Sequence, residues 1–120
     1  MSYTLNIREK IATINGEQVV ILTLNGALTL GVGCLGFKDK YRKLIQDGRR
    51  LFILDLAGIH EFDGSGIGEL MTFYSETQGK FGQIILCHVP KEIASKLQAA
   101  SLLDLFQIRS DVEEAVESLP

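Results

Sequence analysis

Leu51-Phe52-Ile53-Leu54-Asp55-Leu56-Ala57-Gly58-Ile59, followed closely by Phe62-Asp63-Gly64-Ser65-Gly66-Ile67-Gly68-Glu69-Leu70, is the stretch whose reading decides the fold. Its first six residues are an almost unbroken apolar run ending near Gly58, the pattern of a strand covered on both faces. Beyond Asp63 the spacing changes: Ile67, Leu70, Met71 and Tyr74 recur at three- and four-residue steps until Gly79, which predicts an amphipathic helix. A buried strand that feeds an amphipathic helix is half of an α/β unit.

The same alternation extends to either side. Val19-Val20-Ile21-Leu22-Thr23-Leu24 is a β-branched run ended by Asn25-Gly26, and Ile84-Ile85-Leu86-Cys87 is a third apolar run. Tyr3 to Arg8 alternates apolar and polar residues, as a half-buried edge strand does. Cys34, Phe37, Tyr41, Leu44 and Ile45 make a first helix, with Gly48 where a C-terminal glycine belongs. Pro90 opens a third helix carrying Ile93 and Leu97, and Leu105 to Ile108 is a final short strand. Ser110-Asp111-Val112-Glu113 has capping-box spacing before a last helix with Val112, Ala115, Val116 and Leu119. The class is α/β or mixed α+β.

A chain of 120 residues, 46% hydrophobic and 22% charged, has the size and core content of a single domain over residues 1–120. A net charge of -3 provides no basic field for phosphates, so nucleic acid is not an expected partner. No apolar run approaches the roughly 20 residues that span a bilayer, and the first residues carry no secretory pattern; a cytoplasmic protein without membrane insertion is expected. Cys34 and Cys87 are far apart, without the close-set Cys or His pairs of a zinc site, so both read as small buried hydrophobes. Neither a metal site nor a cofactor is expected.

Three motifs point to chemistry and each has a plainer reading. Gly31-Val32-Gly33-Cys34-Leu35-Gly36 spells GxGxxG, with Asp55 at the end of the next strand. The dinucleotide fingerprint needs its first glycine at the strand-to-helix turn, yet five residues from Gly26 to Leu30 intervene, so these glycines are expected to let the loop turn and the helix start close to its neighbours. His60 and His88 follow two predicted strands and should share one rim of the sheet if those strands are parallel; with Asp63 they could hold a metal, but exposed loop histidines are the simpler reading. Gly64-Ser65-Gly66 lacks the GxSxG elbow of a serine hydrolase, and no base, metal cluster or carboxylate pair converges on Ser65, so no catalytic residue is assigned.

Ser65 has another property. It stands where a buried strand meets a helix start, and exposed N–H groups and the positive dipole end favour negative charge there. Phosphate on Ser65 would add about -1.5 to -2 charge to a surface loop already holding Asp63, which an acidic or apolar partner surface would not accept. Alternatively Ser65 or Asp63 simply caps the helix. Both readings stay open on the residues alone.

The quoted stretch resembles the signature of STAS domains in anti-sigma factor antagonists, in which a strand ending in Asp-Leu leads to Asp-Ser-Ser-Gly-Leu-Gly, or a close relative, opening a helix. Gly26-Ala27-Leu28-Thr29 resembles the family's early loop, and Leu102 to Ile108 with Asp111 to Val116 resembles its C-terminal strand and helix. The resemblance implies a four- or five-stranded mixed sheet packed on about four helices. It implies a non-enzymatic module that binds an anti-sigma factor, itself a GHKL-type serine kinase, and so frees a sigma factor until phosphorylation ends the binding. The family's usual phosphoacceptor directly follows the signature Asp; here that position is Gly64, and Ser65 matches the second hydroxyl. The partner surface it implies comprises Ala27, Leu28 and Thr29, the loop Asp63, Gly64, Ser65 and Gly66, and an outer helix face with Glu69 and an exposed Phe73. A constitutive STAS scaffold or transport-system subunit, and a nucleotide- or small-ligand-binding STAS domain, are the alternatives.

Overall fold

The computed structural model describes residues 4–119. Strand β1 (Leu5–Ile14) turns into β2 (Glu17–Leu28), and helix α1 (Val32–Gln46) leads to β3 (Leu51–Phe62). Helix α2 (Gly64–Gln78) leads to β4 (Gln83–Cys87), and α3 (Lys91–Ala99) with a single 3-10 turn (Leu103–Leu105) leads to β5 (Gln107–Arg109), followed by α4 (Val112–Glu117). The strands lie in sequence order, β1 antiparallel to β2 and the remaining pairs parallel. A five-stranded mixed sheet with four helices is the architecture the resemblance implied.

Because the order from β2 to β5 never reverses, right-handed crossovers must put every connecting helix on one face. They do: Phe37 and Tyr41 of α1, Leu70 and Phe73 of α2, and Ile93 and Leu97 of α3 share one cluster with Val20, Leu22, Phe52, Leu54, Ile84 and Leu86. The alternate residues Val19, Leu51, Ile53, Ile85 and Cys87 face the other way, onto Ala115 and Leu119 at the α4 end. Among the described strands there is therefore no topological switch point, the place where such sheets cradle nucleotides. The glycine motif has the structural role expected of it. Gly31 sits at φ 106 in the turn before α1, and a Cβ on Gly33 would meet the Ala27 carbonyl oxygen at 2.2 Å.

Several boundaries differ from expectation for identifiable reasons. The edge strand lies where expected, although Tyr3 falls outside the described residues, and it runs on to Ile14 because Asn15 and Gly16, with φ 51 and 81, form the tight turn that returns the chain as β2. Asn25-Gly26 does not end β2, nor Gly58 β3: the strands stay paired past both, with register shifts between Thr23 and Asn25 and between Gly26 and Ala27. A Cβ on Gly26 would lie 2.2 Å from the Thr4 carbonyl oxygen, and one on Gly58 would lie 1.8 Å from Asn25 Oδ1. These glycines make room inside the strands, for the Thr4 backbone at Gly26 and for the Asn25 side chain at Gly58, and do not mark their ends. Pro90 precedes the first turn of α3 as its N-cap instead of entering it. The final strand begins two residues later than Leu105, which lies in the 3-10 turn. The α4 cap is Asp111, not Ser110: its carboxylate accepts the Glu114 N–H at 2.8 Å.

Candidate functional site

The β3-to-α2 junction is built around Asp63. Its backbone is extended, and Oδ1 accepts the Gly66 N–H at 3.0 Å, so Asp63, and not Ser65, caps α2. Oδ2 accepts the Leu30 N–H at 3.0 Å, which ties the start of α2 to the loop after β2. Partial desolvation pushes this carboxyl upward, but the N–H groups of Leu30, Gly66 and Ser65 outweigh it and hold the carboxyl below its ordinary value. Gly66 is required by packing: its Cβ would lie 2.4 Å from the Leu28 carbonyl oxygen and 2.9 Å from the Phe62 ring. Gly64 is exposed, and a Cβ there would meet nothing within 4 Å.

Capping by Asp63 leaves the Ser65 hydroxyl to the surface. Ser65 is half-buried and lines a groove of about 450 Å³ between the N-terminal halves of α1 and α2, together with Leu30, Cys34, Leu35, Lys38 and Glu69. Glu69 organises its wall, pairing with Lys38 at 3.1 Å and accepting the Tyr41 hydroxyl at 2.9 Å. Burial first, then the Glu69 hydrogen bond and charge, raises the Tyr41 phenol well above its usual range. Cys34 at the groove floor is pushed up to about 11 by burial and then by the charges of Asp63 and Glu69, so its thiol is inert at neutral pH. The apolar residues that line it are solvent-exposed, Leu30 at 80% and Leu35 at 61%, and the nearby Val32 of α1 is 72% exposed.

Four residues expected on the partner surface are inside the protein, among them Gly66, packed against Leu28 and Phe62. Ala27 and Leu28 end β2 and are fully buried, so of the early loop Thr29, half-buried, and exposed Leu30 remain for contact. Phe73 is also fully buried, stacked on Tyr41 at 4.7 Å and edge-on to Phe37 and Phe52. The stripe that α2 buries is Gly66, Leu70, Phe73 and Thr77, with Ile67, Met71 and Tyr74 on its flank. Two of the four inward positions are a glycine and a threonine, so hydropathy spacing shifted the apparent face by one residue. Gly64, Ser65, Glu69 and Thr72 are accessible on α2, while Glu76 pairs with Arg42 at 3.2 Å. Val32, Leu35 and Lys38 were not foreseen; the signal for Val32 and Leu35 is that they are apolar residues off the buried stripe Cys34, Phe37, Tyr41 and Leu44.

His60 and His88 are exposed at the C-terminal edge of the parallel strands, as expected, but they do not meet. Register sets His88 level with Leu56, so His60 lies on the order of 10 Å further along β3. The His88 ring meets Asp55, not Asp63, with Nδ1 3.1 Å from Oδ1. Cys34 and Cys87 are both buried, as read. No helix among the described residues is long and apolar enough to cross a membrane.

A family model for the STAS domain matches residues 10–115. No curated protein sequence matches the chain. The crystal structure of a candidate anti-sigma factor antagonist from Thermotoga maritima is similar at TM-score 0.83, with 20% identity over 92% of this chain and 92% of that one. The anti-sigma factor antagonist SpoIIAA of Bacillus, unphosphorylated, is similar at TM-score 0.73, with 18% identity over 95% of this chain and 100% of that one. A sulfate transporter family protein from Wolinella succinogenes is similar at TM-score 0.66, with 18% identity over 82% of either chain. At these identities the likeness is one of fold.

Proposed function

Because the chain belongs to the STAS domain family, we propose that it acts as an anti-sigma factor antagonist, binding an anti-sigma factor that is a serine kinase and so freeing a sigma factor. The observation that carries this reading is the pair of exposed apolar residues Leu30 and Leu35 lining the groove with the half-buried Ser65. Apolar side chains held open beside polar groups are what a protein partner covers. The contact surface is Thr29 and Leu30, the Asp63–Ser65 turn, the exposed Val32 and Leu35 of α1, and Glu69 and Thr72 of α2. Phosphate on Ser65 would join Asp63 and Glu69 in a groove whose nearby cation, Lys38, is already paired with Glu69. The groove would become strongly anionic and would reject an apolar partner. That SpoIIAA is known in unphosphorylated and phosphorylated forms is consistent with such a switch.

The test is calorimetric titration with the anti-sigma factor kinase encoded nearest to this chain's gene. Leu35→Glu should abolish binding with the melting temperature preserved; wild-type protein that fails to bind the kinase overturns the reading. Incubation with kinase and ATP should then add one phosphate that Ser65→Ala cannot accept.

Gly64 favours a second reading, a constitutive STAS scaffold or transport-system subunit. Among the described residues none lies within 4 Å of a Cβ placed on Gly64, so its missing hydroxyl is not imposed by the fold. In that case partner binding persists while kinase and ATP add no phosphate.

A further inference from the structure

We propose that Asp55, Cys87 and His88 form a binding site for one zinc-class transition-metal ion, on the sheet face opposite the partner groove and independent of the function proposed above. Parallel register pairs Asp55 of β3 with Cys87 of β4, so both side chains leave the sheet on the same face. That face is the one on which Leu51, Ile53 and Ile85 pack toward Ala115 and Leu119. In a continuing strand His88 would point to the opposite face. Instead β4 ends at Cys87, and His88 takes a left-handed conformation at φ 51 while its N–H donates to the Ser110 carbonyl at 3.3 Å. This turn brings the imidazole back to Asp55, and one ligand atom from each of the three residues lies within 4.8 Å of the other two.

The donor set is a thiol, an imidazole and a carboxylate. Magnesium and calcium take oxygen cages, whereas a mixed S, N, O set at close quarters suits zinc. Tetrahedral bonds of about 2.0–2.3 Å put ligand atoms about 3.3–3.8 Å apart, so rotamer adjustments of about an ångström would close the triad on an ion. The Cys87 thiol is protonated, pushed up to about 12 by burial and then by the charges of Asp55 and Asp111. Those two carboxylates welcome a dication, which would displace the thiol proton to solvent and bind the thiolate. Arg109, the register partner of Cys87 on β5, does not compete: its guanidinium is held by Ser118 Oγ at 2.7 Å and the Ile108 carbonyl at 2.8 Å. Asp55 and His88 are 17% and 41% exposed, which leaves the fourth coordination position open to water.

Tag-free apoprotein under reducing conditions, titrated with Co2+ and then Zn2+, tests the site. One Co2+ per chain should bind with a thiolate-to-cobalt charge-transfer band and tetrahedral d–d bands, and Zn2+ should bleach both. His88→Gln, at an exposed position, and Asp55→Asn should each weaken binding by at least about tenfold. Cys87→Ser should remove the charge-transfer band, and Cys34→Ala should leave it unchanged. Absence of the band in folded wild-type protein, or its persistence at full intensity and affinity in His88→Gln, overturns the proposal even if Cys87→Ser fails to fold.

Discussion

Asp63 and Leu30, 33 residues apart, are joined by a single hydrogen bond: the Leu30 N–H donates to Oδ2 at 3.0 Å, while the other carboxylate oxygen caps α2 through Gly66. One side chain thus fixes both sides of the partner groove. Asp63→Ala should lower unfolding stability by about 1–2 kcal/mol in urea titrations, as lost helix caps do. The folded carboxyl is held below its ordinary value of 3.8. Its contribution is therefore complete above that value and disappears as pH falls through the lower folded one. Urea midpoints of wild type and Asp63→Asn should differ at neutral pH and converge as the pH drops from about 5 to about 2. A constant difference across that window would show that the Asp63 charge contributes nothing.

Gly64 and Gly66 are two residues apart and should respond oppositely to a side chain. At Gly64 a Cβ enters open space, so Gly64→Ser should change stability by less than about 0.5 kcal/mol and place a hydroxyl at the family's usual acceptor position. At Gly66 a Cβ would strike the Leu28 carbonyl and the Phe62 ring, and Gly66→Ala should cost about 3 kcal/mol. Thermal melts of the two variants side by side check the contrast. Kinase treatment of Gly64→Ser adds a functional readout, because a second phosphate there would show that the partner's active site reaches this turn.

Thr77 is 1% exposed and its hydroxyl has no hydrogen-bond partner among the described residues. A buried polar group without a partner keeps its desolvation penalty. Thr77→Val keeps the shape and removes the penalty, so it should raise stability by about 1 kcal/mol in urea unfolding. A loss of stability would mean that the hydroxyl is satisfied in solution.

What the chain disclosed about itself follows the range of the interactions involved. The central strands were legible because Val19 to Leu24, Leu51 to Leu56 and Ile84 to Cys87 are covered on both faces and need no polar alternation. Local turn chemistry was legible in principle: Asn15-Gly16 is a strong hairpin signal, and reading it would have given β1 its full length. Gly26 and Gly58 misled because a glycine that ends a strand and one that lets two strands approach look identical in sequence. The groove was half legible. Asp63 and Ser65 carry a family motif, but the place of Leu35 and Lys38 on the same groove depends on how α1 docks beside α2. The meeting of His88 with Asp55 depends on a left-handed residue at a strand end, which local spacing does not announce.

Burial separates Phe73 from Leu35 and supplies the sharpest test of the partner surface. Phe73 fills the space between Tyr41, Phe37 and Phe52 and is fully buried, so Phe73→Ala opens a cavity and should cost about 3–5 kcal/mol. Leu35 is 61% exposed on the groove rim, so Leu35→Asp should change stability by less than about 0.5 kcal/mol. Partner binding should show the reverse order once each variant is measured well below its melting temperature. Phe73→Ala should bind in proportion to its folded fraction, and Leu35→Asp, which places a charge on an apolar contact, should lose at least about tenfold in affinity. If folded Phe73→Ala loses binding while Leu35→Asp keeps it, the partner engages a face other than the groove beside Ser65.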